Sequence, residues 1–183
     1  MRKVISIILI AALVWISVAS APPLRAQNAS LIGKTVPSWK FGRSSWINTR
    51  RTIRWSKLKG RVTVIEFLRI NCSHCETAAP SRRILYRKYR PRGLRMIGFQ
   101  SPGVSPEEND WAKVKSVLRQ WKLTYPIAFD DNRTVMKKFG QNTYPAVFVL
   151  DRNGIVRFQQ NGESREKQAQ LDRVVGQMLQ ARD

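Results

Sequence analysis

The sequence predicts a single α/β domain in which helices flank a mixed central sheet. Residues 62–68 (VTVIEFL) form a short, β-branched apolar run that is typical of a buried central strand. From Ser73 to about Tyr89 the apolar residues recur at helical spacing. Residues 145–150 and 155–159 are two further strand patterns, and the Asp-Arg-Asn-Gly sequence between them predicts an antiparallel hairpin. A β-α unit followed by a hairpin predicts a sheet with both parallel and antiparallel strands.

The rest of the chain supplies the other elements of this fold. They are predicted strands at residues 94–100 and 126–129 and predicted helices at residues 105–122, 132–139 and 165–181. Ser105 as cap and Pro106 in the first turn mark residues 105–122 as an inserted helical segment. Residues 45–48 and 52–55 alternate apolar and polar types around a polar turn, which predicts a small N-terminal hairpin extension.

The pattern along the helix that starts at Ser73 assigns its two faces. The inward face is predicted to carry Ala78, Ala79, Ile84 and Leu85, and the outward face Arg82, Arg83, Arg87 and Lys88. Pro80 follows the first turn, where its missing N–H donor is expected to kink the helix.

The chain is strongly basic. It has 33 Lys and Arg against 12 Asp and Glu, a formal net charge of +21. Such a charge attracts anionic lipid, nucleic acid or acidic proteins. In the basic, tryptophan-containing stretch 34–61 we expect the aromatic rings to pack inward and the cations to face water, so nucleic acid is not an expected partner. The ordinary composition, 43% hydrophobic and 25% charged, excludes a disordered chain or a disulfide scaffold.

The N-terminus has the pattern of an export leader. Two basic residues precede an uncharged apolar run, and small residues follow it. We therefore expect residues 1–26 to be a signal peptide or N-terminal anchor and residues 27–183 to be the folded domain, exported to the periplasm or another extracytoplasmic space. An uncleaved leader would tether the protein to the membrane by residues 4–20. Cleavage after residue 26 lowers the charge of +21 by three, to +18, so the basic character belongs to the domain.

Cys72 and Cys75 are the only cysteines, and they are spaced Cys-x-x-Cys. A bridge between them closes a loop too short to remove much unfolded-state entropy, which argues against a structural staple. Structural zinc needs four ligands, more than this pair and the single histidine, His74, supply. Covalent haem needs a histidine after the second cysteine, where Glu76 stands. We therefore expect redox chemistry without a metal or cofactor.

The order of these motifs resembles the thioredoxin superfamily. A strand leads into the cysteine motif at a helix start, Pro80 lies five residues after Cys75, and Tyr144-Pro145 enters a strand-turn-strand-helix sequence. More closely, the chain is similar to the exported TlpA/ResA-like thiol–disulfide oxidoreductases and to the thioredoxin-like domain of the DipZ membrane proteins. The similarity is carried by Leu58-Lys59-Gly60, VTVIEFL, residues 72–75, Pro80, LRMIGFQSP, residues 125–130, residues 144–151 and Gly154.

The resemblance implies roles for the cysteines and their neighbours. Cys72, at a helix N-terminus whose dipole stabilises a thiolate, is expected to be the exposed nucleophile. Cys75 is expected to be the resolving thiol that releases the mixed disulfide. Pro145 resembles the family's cis-proline beside the sulfurs, which leaves the preceding backbone free to pair with an extended substrate. The substrate-binding rim is expected to comprise Tyr144, Pro145, Asn71 and Ser73.

Glu66 and His74 are the two further residues expected to take part in the chemistry. Glu66 lies six residues before Cys72, where thioredoxins carry a buried acid. Buried beneath the cysteines, it would have a raised pKa and accept the proton of Cys75. The alternative is a structural acid paired with an arginine. His74 matches the histidine of the oxidising DsbA and protein disulfide isomerase motifs, so the direction of electron flow stays open.

The cysteine motif also departs from the family pattern. Asn71 replaces the usual Trp before the first cysteine, and Arg69 is nearby, which makes the rim more polar and more positive. A peroxidase of the related thioredoxin-fold class needs Thr or Ser three residues before the nucleophile, where Arg69 stands, and a proline upstream. We therefore do not expect a peroxidase.

These observations predict a thiol–disulfide oxidoreductase that acts on extracytoplasmic proteins, as a reductant in cytochrome c maturation or in general disulfide reduction. The expected partners are protein dithiols or disulfides, a membrane protein that donates or accepts electrons, and an anionic membrane surface. Two alternatives stay open. One is an oxidant or isomerase of the DsbA type, favoured by His74, and the other is a non-enzymatic basic module that binds anionic lipid or polyanion.

Overall fold

The β-branched run at residues 62–68 forms the central strand of a six-stranded mixed sheet in the computed structural model, which describes residues 30–181. The strands are β1 (Trp46–Ile47), β2 (Thr63–Leu68), β3 (Arg95–Gln100), β4 (Ile127–Phe129), β5 (Ala146–Leu150) and β6 (Val156–Asn161). The helices are α1 (Ser73–Tyr89), α2 (Trp111–Gln120), α3 (Thr134–Lys138) and α4 (Arg165–Gln180). The leader predicted at residues 1–26 lies outside the described residues.

Strand direction gives the sheet two functionally different edges. The strand order is β1-β4-β3-β2-β5-β6, with β2, β3 and β4 parallel and β5 antiparallel to both β2 and β6. The ends of β2, β3 and β4 therefore meet the start of β5 at one edge, which we call the cysteine edge. The starts of β2, β3 and β4 meet the end of β5 at the opposite edge, which we call the distal edge.

Alternate residues of the central strand enter two separate cores. Val64 and Leu68 of β2 pack in one apolar cluster with residues of α1, α2 and α4. Ile65 and Phe67 pack in the other with α3 and the N-terminal segment. All six residues of β2 are buried, as expected for a strand covered on both faces. No helix within residues 30–181 has the length and apolar character to cross a membrane.

The N-terminal extension does not form the predicted hairpin. Trp46–Ile47 pairs antiparallel with β4 instead, and Trp55–Lys57 forms a 3₁₀ turn. Asn48 explains the difference, because it lies at φ 58° and its side-chain amide donates to the carbonyls of Leu123 (2.8 Å) and Tyr125 (3.1 Å). These bonds anchor the segment to the connection between α2 and β4, just before the residues at which a hairpin would have to turn.

The helix of the inserted segment begins later than predicted. Pro106–Glu108 is a 3₁₀ turn, and α2 starts after Asp110, whose carboxylate accepts from the amides of Ala112 (2.8 Å) and Lys113 (3.2 Å). The Ser105 side chain does not cap this turn, because its hydroxyl donates to the carboxylate of Glu107 instead. The neighbouring Glu108, the last residue of this turn, is only 1% exposed.

The prediction of the two faces of α1 is wrong at Arg82 and Ile84. Arg82 is 1% exposed, whereas Ile84 is 52% exposed. Helical spacing alone assigns a cation to solvent, but here two buried carboxylates, Glu66 and Glu163, face Arg82 from other elements. Pro80 lies within α1 and does not end the helix.

Candidate active site

The two cysteines lie in the first turn of α1, directly after β2, at the cysteine edge. Cys72 is the N-cap residue, and its Sγ accepts a hydrogen bond from the backbone amide of Cys75 at 3.2 Å. Cys72 is half-buried and Cys75 is 4% exposed, and both are free thiols. Only the sulfur of Cys72 is therefore positioned for attack on a molecule outside the protein.

The surroundings of Cys72 favour its thiolate. Its pKa falls from the ordinary value to about 6, chiefly because the Cys75 thiol donates to it. The Cys75 amide and the positive charges of Arg69 and His74 lower the pKa further, while partial burial acts in the opposite direction. The thiolate is consequently the main form of Cys72 at neutral pH.

Cys75, in contrast, is kept in its protonated form. Burial raises its pKa, and both its hydrogen bond with Cys72 and the negative charge of Glu66 raise it further. A thiol in this position stays protonated until a base removes its proton. The motif therefore combines a ready nucleophile with a protonated partner.

A buried charge network lies beneath the cysteines. Arg82 Nε donates to Glu66 Oε1 at 2.9 Å, and Arg82 Nη2 donates to Glu163 Oε2 at 2.7 Å. The hydroxyl of Tyr125 donates to Glu66 Oε2 at 2.6 Å. The side chains of Arg82, Glu66 and Glu163 are all 3% exposed or less. Both oxygens of Glu66 thus have a partner in the interior.

The network carries one more negative charge than positive charge when both acids are ionised. Burial raises the pKa of Glu66 above its usual range, although Arg82 and Tyr125 act to lower it. The sequence left open whether Glu66 accepts protons or is a structural acid paired with an arginine. The ion pair with Arg82 is present, and a raised pKa is also what a proton acceptor needs.

Arg69 links the nucleophile to the inserted segment. Its guanidinium lies over the ring of Tyr144 at 5.2 Å, and its Nε is 3.8 Å from Glu108 Oε1. Glu108 also accepts from the backbone amides of Asn71 (3.3 Å) and Gly103. The carboxylate of Glu108 therefore fixes both the loop before Cys72 and the cation that acts on it.

The remaining predicted rim residues surround this cluster. Asn71, Ser73 and His74 are exposed, and the Asn71 side chain donates to Glu107 at 3.4 Å. Tyr144 is joined to buried Pro145 by a cis peptide bond at the start of β5. Burial raises the pKa of Tyr144 to about 12, against the positive charges of Arg133 and Arg69.

Sequence reasoning missed several residues that complete the site. It assigned Arg82 to solvent and gave no role to Tyr125, Glu108 or Glu163. The only signal for Arg82 was the alternative in which Glu66 is a structural acid paired with an arginine, and neither spacing nor composition indicated the other three. Within residues 30–181, no cluster of three or more His, Cys, Asp or Glu is arranged to hold a metal ion.

Comparisons with known proteins agree with the family and fold predicted from the sequence. The family model described as AhpC/TSA matches residues 32–159. Protein DipZ of Mycobacterium tuberculosis is 30% identical over 131 residues, which are 70% of this chain and 19% of DipZ. The thiol-disulfide oxidoreductase ResA of Bacillus anthracis is 30% identical over 118 residues, which are 64% of this chain and 65% of ResA. The chain thus spans about a fifth of DipZ and just under two thirds of ResA.

A solved structure supports the same fold. The solution structure of a thioredoxin-like protein in its oxidised form is 26% identical to this chain, with a TM-score of 0.69. The match covers 79% of this chain and 95% of that protein. The predicted thioredoxin-like fold, a mixed sheet flanked by helices, is confirmed.

The environment of Cys72 predicts how its reactivity varies with pH. In the reduced protein, the rate of alkylation by iodoacetamide should rise with a midpoint near pH 6, because only the thiolate of Cys72 reacts. Arg69→Ala removes a stabilising charge and should move this midpoint up by about half to one pH unit. Arg83→Ala removes a cation from the half-buried outer side of the same helix and should leave the midpoint unchanged. A wild-type midpoint above pH 8, or equal shifts in both variants, would contradict this account of the site.

Proposed function

Because the chain belongs to the AhpC/TSA family, we propose that it is a thiol–disulfide oxidoreductase that acts on extracytoplasmic protein thiols and disulfides. The observation that carries the proposal is the asymmetry of the cysteine pair, with a half-buried Cys72 of low pKa and a buried Cys75 of raised pKa. Arg69 stands three residues before Cys72, where a peroxidase of this fold class carries Thr or Ser. Disulfide exchange therefore suits this site better than peroxide reduction.

In the reducing direction the reaction takes two exchanges. The Cys72 thiolate attacks one sulfur of a substrate disulfide, forms a mixed disulfide and releases the other substrate sulfur as a thiolate. Cys75 then loses its proton and attacks the Cys72 sulfur, which releases the second substrate thiolate. Both substrate thiolates take up protons. The substrate gains two electrons, and the protein is left with a Cys72–Cys75 disulfide.

Glu66 is the proton acceptor that we propose for the second exchange. Its negative charge acts on Cys75, and the Cys75 thiol is only 4% exposed, so a base inside the protein suits the transfer better than one in solvent. The raised pKa of Glu66 brings its basicity closer to what a thiol proton requires. Arg82 and Glu163 act as positioning residues, because they hold the carboxylate in the interior.

We propose that the protein works as a reductant. The pKa of Cys72, about 6, lies closer to the value of about 7 for thioredoxin than to that of about 3.5 for DsbA. A less stabilised thiolate makes the disulfide a weaker oxidant. The alternative, an oxidant or isomerase, is favoured by one observation, the charge that His74 adds beside Cys72.

The cellular location that we propose follows from the leader pattern. Residues 1–26 support export, with a membrane tether at residues 4–20 if the leader is retained. Substrates would be exported proteins with cysteine pairs, including apocytochromes. Regeneration of the dithiol then requires a membrane protein that supplies electrons to the Cys72–Cys75 disulfide.

Substitution of each cysteine separates the two exchanges. When mixed with disulfide-bonded insulin, Cys75→Ser should trap a mixed disulfide with an insulin chain, visible on a non-reducing gel, because the Cys72 thiolate displaces one insulin sulfur and is then not released. Cys72→Ser should trap none, although it keeps one thiol. The wild-type protein should catalyse insulin reduction by dithiothreitol, and both variants should lose this activity. Insulin reduction no faster than dithiothreitol alone, or equal trapping by both variants, would exclude the proposed function.

The direction of electron flow can be measured as a potential. Equilibration of the Cys72–Cys75 couple in glutathione buffers should give a value nearer to thioredoxin's, about −270 mV, than to DsbA's, about −120 mV. His74→Pro should lower the potential further, because it removes a charge that stabilises the thiolate. A wild-type potential near −120 mV would establish the oxidant instead.

Replacement of Glu66 tests the proton transfer. In a stopped-flow reaction with an aromatic disulfide, Glu66→Gln should slow the second thiol release about 100-fold, with the first release unchanged. In the wild type, the rate of the second release should fall as the pH drops through the raised pKa of Glu66, because a protonated carboxyl accepts no proton. This pH dependence should be absent in Glu66→Gln.

A matched variant distinguishes chemistry from stability in that experiment. Arg82→Gln leaves Glu66 in place but removes its buried partner, which should lower the free energy of unfolding by about 3–5 kcal/mol. The second release in Arg82→Gln should still depend on pH, with its midpoint at higher pH, because the positive charge that lowers the pKa of Glu66 is lost. If Glu66→Gln only destabilises the protein and leaves the second release unchanged, Glu66 is structural.

A further inference from the structure

A cavity of about 480 Å³ lies at the distal edge of the sheet, away from the cysteines. Its apolar lining includes Ile53, Met96 and Pro126. Arg51, Lys57 and Arg95 also line it, and all three are exposed. We call it the distal cavity. It combines an apolar interior with three cations and no acidic residue.

A second cavity adjoins the distal cavity along β1. It has a volume of about 310 Å³, shares Thr49 with the first and is lined by Arg43, Lys115 and Arg119, again without an acid. None of the six cations of the two cavities forms an ion pair with a residue in the range 30–181. Their positive charge is therefore open to an external anion.

The acids of the chain lie almost entirely elsewhere. Eleven of the 12 acids fall in residues 30–181, and nine of these are Glu66 beneath the cysteines or residues in the loops and first helical turns of the cysteine edge. The other two, Asp151 and Asp172, each form an ion pair of 2.7 Å, with Arg157 and Lys88 respectively. Acidic residues are thus concentrated at the cysteine edge, whereas the two cavities are lined by cations alone among the charged residues.

We propose that the distal edge docks on an anionic phospholipid bilayer. The cations that line the two cavities contact headgroup phosphates, and the apolar interior of the distal cavity receives the glycerol and upper acyl region of one lipid. The cysteine edge, on the opposite side of the sheet, then faces away from the membrane. This inference goes beyond the proposed function, since disulfide exchange does not require it.

The tryptophans of the same stretch favour lipid over single-stranded nucleic acid. Binding of single strands uses exposed aromatic rings on which bases stack. Trp39 and Trp46 are 6% and 4% exposed and pack in the core, and the ring of Trp55 lies against Gly154. These three tryptophans therefore offer no open stacking platform, while the apolar part of the distal cavity suits a lipid.

Sedimentation with lipid vesicles tests the docking surface. The full chain should bind phosphatidylglycerol vesicles in low salt, more weakly in 0.15 M salt, and more strongly than phosphatidylcholine vesicles. At about fivefold per cation, the triple variant Arg51→Gln, Lys57→Gln, Arg95→Gln should lose on the order of 100-fold in affinity for the anionic vesicles. Every variant keeps residues 1–29, so any binding by that segment is common to all of them.

A matched triple variant controls for net charge. Lys137→Gln, Lys138→Gln, Arg173→Gln removes the same three charges from exposed positions that line neither cavity, and it should lose less than about fivefold. Equal losses in the two triples, or equal binding to both vesicle types, would overturn the proposal. So would a distal triple that keeps vesicle binding and loses only single-stranded RNA binding. Insulin reduction should be unchanged in both triples, and failure of that activity in the wild type would affect only the proposed function.

Discussion

The guanidinium of Arg82, buried between the carboxylates of Glu66 and Glu163, is the contact on which the site depends. It joins the central strand to α1 and to the segment that leads into α4. An unpaired charge in this interior would cost several kcal/mol, so the three elements are held in one arrangement. The same contact places a carboxylate of raised pKa beneath the cysteines, with the Tyr125 hydroxyl on its other oxygen.

The difference between the two thiols follows from the sites they occupy on one helical turn. Cys72 caps the helix, accepts from an amide and lies near Arg69, all of which stabilise negative charge. Cys75 points into an apolar core, where a thiolate would be poorly solvated. The inserted segment contributes through Glu108, which fixes the cation beside the nucleophile. Fold and reactivity are therefore coupled at the end of β2.

Charge is also separated along the strands. The acids gather where the parallel strands end and helices begin, because carboxylates cap helix N-termini and pair with the cations of the site. At the distal edge, where the parallel strands begin, no acid lines the cavity, and its cations form no ion pair with any residue in the range 30–181. The proposed disulfide exchange and the proposed membrane docking therefore lie at opposite edges of one small domain.

The sequence by itself determined the local elements and the position of the cysteine pair. The apolar run of β2, the helical spacing of α1, the β5–β6 hairpin and the Cys-x-x-Cys motif are short-range patterns, and the structure has each of them. Only the tertiary structure decided the pairing of β1 with β4, the inward orientation of Arg82 and the burial of Glu108. The physical reason is that periodicity assigns every cation and acid to water. Whether a charge can be buried depends on partners far along the chain, such as Glu163, 81 residues from Arg82.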